Sequence, residues 1–191
     1  MPQHHHFILH KPFGFLSQFI TDFKKSRTHL LGEIHDFPKG TMSVGRLDKD
    51  SEGLLLLTTD GKVSNLVTSR KVQKEYYAQV DGDITKEAVR LLEEGVEIGV
   101  EGQKYLTKAD KAFKIEPKPE FPHRVKKIRD ERHGPTSWVS LSISEGKFRQ
   151  VRKMTAAVGF PTLRLIRVRI GNIHLGDLKA GDFLEVENFN I

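Results

Sequence analysis

Cysteine is absent from this 191-residue chain, which removes disulfides, a thiolate nucleophile and Cys-ligated zinc together. Long apolar runs are missing too. None approaches the ~18 residues that suggest a membrane span, and the N-terminus has no apolar signal region. These absences argue against a membrane partner and for a soluble protein of a reducing compartment, the cytoplasm. Acidic residues are scarce in one part of the chain: residues 111–170 hold 15 Lys/Arg against 5 Asp/Glu, whereas the remainder holds 16 against 20. The net charge of +6 is therefore concentrated rather than spread, as a surface facing a polyanion requires. His4, His5 and His6 are adjacent but have no partner in the pattern, so no metal is expected.

The length suffices for one sizeable core, or for two half-domains sharing a sheet. A single domain over residues 1–191 and a monomer are the expectations. The most informative stretch is GRLDKDSEGLLLLTTDG, residues 45–61. The unbroken run Leu54 to Leu57, bounded by turn residues, predicts a strand buried on both faces. Asp48 falls on the short loop before it, where a reactive group is exposed and yet held by the adjoining strand; ordinary Asp-Gly turn chemistry reads the same way.

Taken in order, residues 7–9 predict a first strand that stops at the Lys11-Pro12-Phe13-Gly14 turn. Residues 15–44 read as short elements and loops, and residues 62–68 as a short helix. Residues 74–80 predict a strand with Tyr76, Ala78 and Val80 on one face and Tyr77 and Gln79 on the other. Thr85 caps a helix with Ala88, Val89, Leu91 and Leu92 inward and Gly95 as its stop. Further strands are expected near 96–98, 108–115, 137–143, 165–171 and 183–187. Residues 116–135, EPKPEFPHRVKKIRDERHGP, read as a long mobile loop whose Lys126, Lys127 and Arg129 meet a polyanion or simply face water. Residues 147–158 have helical spacing. Their first turns would then carry Lys147, Arg149, Arg152 and Lys153, an awkward set for the positive end of a helix unless an anion docks there or the side chains extend into water.

Residues 45–61, KEYYAQV (74–80) and ISEGKFRQVRKMTAAVGFPTLRLIRVRIG (143–171) together resemble the motifs, in the same order, of the rRNA pseudouridine synthases that modify single sites. The resemblance is closest to members that act on large-subunit 23S rRNA and lack a separate N-terminal S4 RNA-binding domain; only six residues precede the first strand. It implies an α+β fold: a long, bent, mainly antiparallel sheet with flanking helices and a central catalytic cleft. It further implies conversion of a uridine in 23S rRNA to pseudouridine without metal or other cofactor. Asp48 corresponds to the catalytic aspartate, Tyr76 to the ring on which the target base stacks, and Arg152 to the basic partner of the aspartate. Arg46 corresponds to an arginine that fills the space left by the flipped base, and Leu54 and Leu165 to apolar cleft walls. From strand alternation, Arg167 and Arg169 face solvent or phosphate. The same chemistry on small-subunit rRNA or tRNA, and a non-catalytic RNA-binding protein of ribosome assembly, are the alternatives.

Overall fold

The computed structural model describes residues 4–21, 28–69, 72–124, 126–129 and 131–191. In chain order the elements are β1 (His6–Lys11), β2 (Met42–Val44), β3 (Glu52–Thr58), α1 (Gly61–Ser69), β4 (Lys74–Asp81), α2 (Lys86–Glu94), β5 (Val96–Val100) and β6 (Gln103–Thr107). They continue with β7 (Lys111–Lys114), β8 (Thr136–Ile143), α3 (Gln150–Ala157), β9 (Thr162–Ile170), β10 (Ile173–His174) and β11 (Phe183–Val186). The class is α+β, and the pairs β1–β11, β1–β3, β2–β3, β4–β8, β5–β6, β7–β8 and β9–β10 are antiparallel. Residues 22–27 of the stretch read as short elements lie outside the described residues. The chain divides into two compact units, Met1–Val72 with Arg167–Ile191, and Gln73–Ile166.

In the first unit the strand order is β11-β1-β3, with β2 also paired to β3. Leu54, Leu55, Leu56 and Leu57 are all fully buried, so the apolar run is a strand covered on both faces, as its composition demands. Each such leucine contributes about 1.5–3 kcal/mol of burial, which makes β3 the unit's anchor. The three N-terminal histidines diverge: His5 Nδ1 lies 2.6 Å from Glu185, His6 Nδ1 2.8 Å from the Thr58 hydroxyl, and His4 3.9 Å from Asp60.

In the second unit β4, β8 and β7 lie side by side and β5 pairs β6 as a separate ribbon. Tyr76, Ala78 and Val80 are buried together with Val139 and Leu141, the expected period of two. Thr85 accepts a hydrogen bond from Ala88 N at 3.1 Å, and Gly95 ends α2 at φ 135°. Only Ala88 and Leu92 of that helix are buried, and Leu91, expected inward, is exposed. The strand read over 108–115 is β7, shorter than expected, and β6 ahead of it was not foreseen. Its residues Gln103, Lys104 and Leu106 are exposed, so the ribbon carries no strong apolar pattern. No helix among the described residues is long and apolar enough to cross a membrane.

Among the glycines, Gly53 has the closest backbone neighbour. A Cβ there would sit 2.3 Å from the Arg167 carbonyl oxygen and 2.8 Å from its nitrogen, and φ is +104°. Gly53→Ala is therefore expected to lower stability by roughly 3 kcal/mol, read from the urea unfolding midpoint. Gly61→Ala, at a site with nothing within 4 Å of a new Cβ, should leave the midpoint almost unchanged.

Candidate active site

The loop before β3 is pinned from several sides. Ser17 is buried and its hydroxyl donates to the Leu47 carbonyl at 2.8 Å while accepting from Leu47 N at 3.0 Å. Leu47 itself is buried, so the chain enters the loop from a fixed point. Ser51 N donates to the Asp48 carbonyl at 3.0 Å, closing a turn, and Gly14 N donates to Lys49 O at 2.8 Å. The Asp48 carboxylate is half-exposed at this turn. Arg46, two residues earlier, is exposed and donates to the Gln18 side chain at 3.1 Å. A half-exposed aspartate on a backbone held this firmly is suited to attack or to proton removal, because its position needs little further organisation.

Beneath the loop lies a set of buried charges. Lys11 has no exposed surface, and Glu52 and Arg167 are 2% and 4% exposed. The Lys11 ammonium donates to the carbonyls of Pro12 and Phe15, both at 2.8 Å, and so secures the turn that meets Lys49. Burial pulls its pKa down to about 7; Glu52 opposes that shift, the Arg167 charge adds to it, and Asp50 and Asp48 oppose it. Arg167 corrects the expectation drawn from strand alternation. Its Nε donates to Leu54 O at 2.8 Å, and Nη1 lies 3.4 Å from Arg46 O, so its guanidinium serves the backbone on either side of the loop rather than solvent or phosphate. Arg169 is half-buried and donates to Gly171 O at 2.9 Å. Leu54, for which the resemblance implies an apolar cleft wall, is fully buried.

In the second unit Tyr76 is buried at 9% exposure, opposite Leu141 across the β4–β8 pair. Tyr77 points the other way and packs edge-on against Phe121, ring centres 6.2 Å apart. Its pKa is raised by burial, then by the neighbouring Glu75. Leu165, for which the resemblance implies an apolar cleft wall, is 4% exposed.

The helix of the third motif starts three residues later than its periodicity indicated. Arg149 has φ 54° and ψ 33° and stands at the N-cap of α3, and Phe148, an apolar residue within the 147–158 spacing, is 71% exposed. Lys147 and Arg149 thus precede the helix, and only Arg152 and Lys153 fall in its first turn. The cause is a hydrogen-bond net around Glu145. Its carboxylate accepts from Tyr105 Oη at 2.7 Å, from the Thr107 hydroxyl and from Gln150 Nε2 at 2.6 Å, while Gln150 Oε1 accepts from Lys147 N at 2.8 Å. Burial alone would push the Glu145 pKa up, but these hydrogen bonds and the Lys147 charge outweigh it and hold the carboxyl below its usual value. This acidic residue supplies the negative charge that the basic helix start lacked in sequence. Lys147 lies over the Tyr105 ring at 4.9 Å, Lys153 donates to Gly99 O at 2.6 Å, and Arg152, half-buried, has Nη1 3.5 Å from Thr162 O.

The 116–135 segment, read as mobile, is tied to the sheet. Phe121 packs on Trp138 with centroids 5.6 Å apart, and Arg129 pairs with Asp81. Lys126 and Lys127 are exposed, whereas Arg129 is half-buried. Residues 125 and 130 lie outside the described set.

Among known proteins, the family model for RNA pseudouridylate synthase matches residues 5–157, and the chain belongs to that family. It is 40% identical over 173 residues to the ribosomal large subunit pseudouridine synthase E of Xanthomonas axonopodis pv. citri (strain 306), covering 90% of this chain and 88% of that one. It is 39% identical over 184 residues to the protein of the same name from Vibrio parahaemolyticus serotype O3:K6, covering 94% and 73%. A crystal structure of a pseudouridylate synthase superposes with TM-score 0.73 at 28% identity, covering 97% of this chain and 71% of that one.

Two substitutions probe the loop. Ser17→Ala leaves two buried Leu47 backbone groups without their partner, a loss of about 1–3 kcal/mol. It should lower kcat with little change in KM, and Ser17→Thr should retain more activity. For Lys11, the folded chain releases its proton near pH 7 and the unfolded chain near 10.5. Between these values the unfolded state binds more protons, so stability rises with pH, by up to about 1.4 kcal/mol per unit. Lys11→Met should remove that rise, measured as urea midpoints from pH 7 to 10.

Proposed function

We propose that this chain isomerises a specific uridine of large-subunit 23S rRNA to pseudouridine, acting as a monomer in the cytoplasm. Its similarity to two relatives that carry the name ribosomal large subunit pseudouridine synthase E, over nine-tenths or more of this chain, carries the reading. Asp48 is the reacting carboxylate: it takes part in breaking the N-glycosidic bond, the uracil turns, and its C5 rejoins the sugar carbon. The net change is an isomerisation, so atoms and electrons balance with no co-reactant. Tyr76 supplies the ring on which the target base stacks, worth roughly 1–3 kcal/mol against the cost of flipping, and Arg152 supplies positive charge to the reacting carboxylate. Arg46 occupies the space that the base leaves. Lys126, Lys127, Arg129, Lys147, Arg149 and Lys153 meet RNA phosphates, consistent with the basic excess of residues 111–170.

Pseudouridine mapping of total RNA from cells with and without the protein tests the reading. One position in 23S rRNA should disappear on deletion, return with the wild-type chain and fail to return with Asp48→Asn, which keeps the side chain's size but removes the anion. A lost position in small-subunit rRNA or tRNA would overturn the substrate, and restoration by Asp48→Asn would overturn the catalytic assignment.

A further inference from the structure

On the second unit, the segment that follows β7 folds back over β4 and β8 and encloses a cavity of about 460 Å³. That is within the roughly 300–1,000 Å³ of pockets that hold small ligands. Lys118, Arg124, Lys126, Lys127, Arg129 and Arg164 line it, with Phe121 and Trp138 among its aromatic residues, and among the described residues no carboxylate lines it. Asp81 pairs with Arg129, and Lys118, Lys126 and Lys127 keep the lining basic. Trp138 is only 4% exposed. Its indole N–H, like the Arg129 Nε–H, is buried with no hydrogen-bond partner among the described residues. A buried donor without an acceptor costs about 1–3 kcal/mol, and here two such donors belong to side chains that line one positively charged cavity. Two such donors in the wall of a basic cavity suit an anionic, acceptor-rich guest.

The cavity is not the place of the target base. Gln79, which lines it, alternates with Tyr76 along β4, and Trp138 is the residue opposite Gln79 in the strand pair. Tyr76 points to the other face.

We propose that this cavity binds one unstacked nucleotide of the RNA strand other than the target uridine, with its phosphate held by Arg124, Lys126 and Lys127 and its base edge by the Trp138 N–H. The assignment rests on the RNA substrate proposed above and adds a second point of grip. An unpaired nucleotide is required, because the base edge and the phosphate must both enter a cavity of this size.

Trp138 is the only tryptophan in the chain, so its fluorescence reports on this cavity. The full-length protein would be titrated with AMP, CMP, GMP, UMP, inorganic phosphate and a single-stranded RNA pentamer. We expect saturable changes with at least one nucleotide and with the pentamer, the pentamer binding about tenfold more tightly. The double variant Lys126→Gln/Lys127→Gln should weaken the pentamer about tenfold, equivalent to ~1.4 kcal/mol. Asp48→Asn should leave the titration unchanged. Trp138→Phe, which keeps the ring but removes the N–H, should raise the KM for RNA severalfold at unchanged kcat. No saturable change, a phosphate curve equal to those of the nucleotides, or a mononucleotide that binds as tightly as the pentamer would each overturn the assignment. The mapping experiment would stand apart from any of these results.

Discussion

Gly53 is where two strands come closer than any side chain permits, and the rest of the Asp48 loop follows from that contact. With Arg167 backbone at 2.3 Å from where a Cβ would be, the Arg167 guanidinium is carried beside the loop and reaches Leu54 O on one side and Arg46 O on the other. Lys11 is the register partner of Gly53 in β1, so a second cation is buried at the same level. Neither charge would be tolerable alone in a dry interior. Glu52, also buried, offsets them, and the carbonyls of Pro12 and Phe15 take up the ammonium.

The consequence for the carboxylate is positional. Asp48 belongs to a turn whose entry is fixed by Ser17, whose middle is fixed by Gly14 and whose exit runs into a strand of four buried leucines. Polar contacts hold the loop locally, and the apolar strand holds those contacts in register. In the role proposed for Asp48 such a fixed backbone matters, since misplacement of a reacting group by about 1 Å can cost on the order of a hundredfold in rate.

How much of this was legible in the sequence depended on whether a feature had a period. The leucine run, the alternation of Tyr76, Ala78 and Val80, and the Thr85 and Gly95 caps follow local rules and could be read directly. Arg167 was read on the right side of its strand, but alternation gives only a face, not whether that face is covered. The start of α3 was misplaced because Phe148 continues the helical period, whereas Arg149 adopts a left-handed conformation imposed by contacts of Glu145 with Tyr105 and Thr107 from distant sequence. Lys11, Ser17 and Trp138 escaped notice for the same reason: each acts through partners far along the chain. The one signal available was a lysine between a hydrophobic strand and a proline, where a surface residue would have been the ordinary reading.

The hydrogen bonds on either side of Asp48 also decide which partner must yield when enzyme and substrate meet. A loop clasped by Ser17 at its entry and continued by a fully buried strand at its exit is an anvil rather than a lid. In the reaction proposed for Asp48, the distortion that brings sugar and carboxylate together then falls on the nucleic acid. A uridine already held loosely by its own fold offers the smaller resistance, so selection among uridines starts with how easily each leaves its stack.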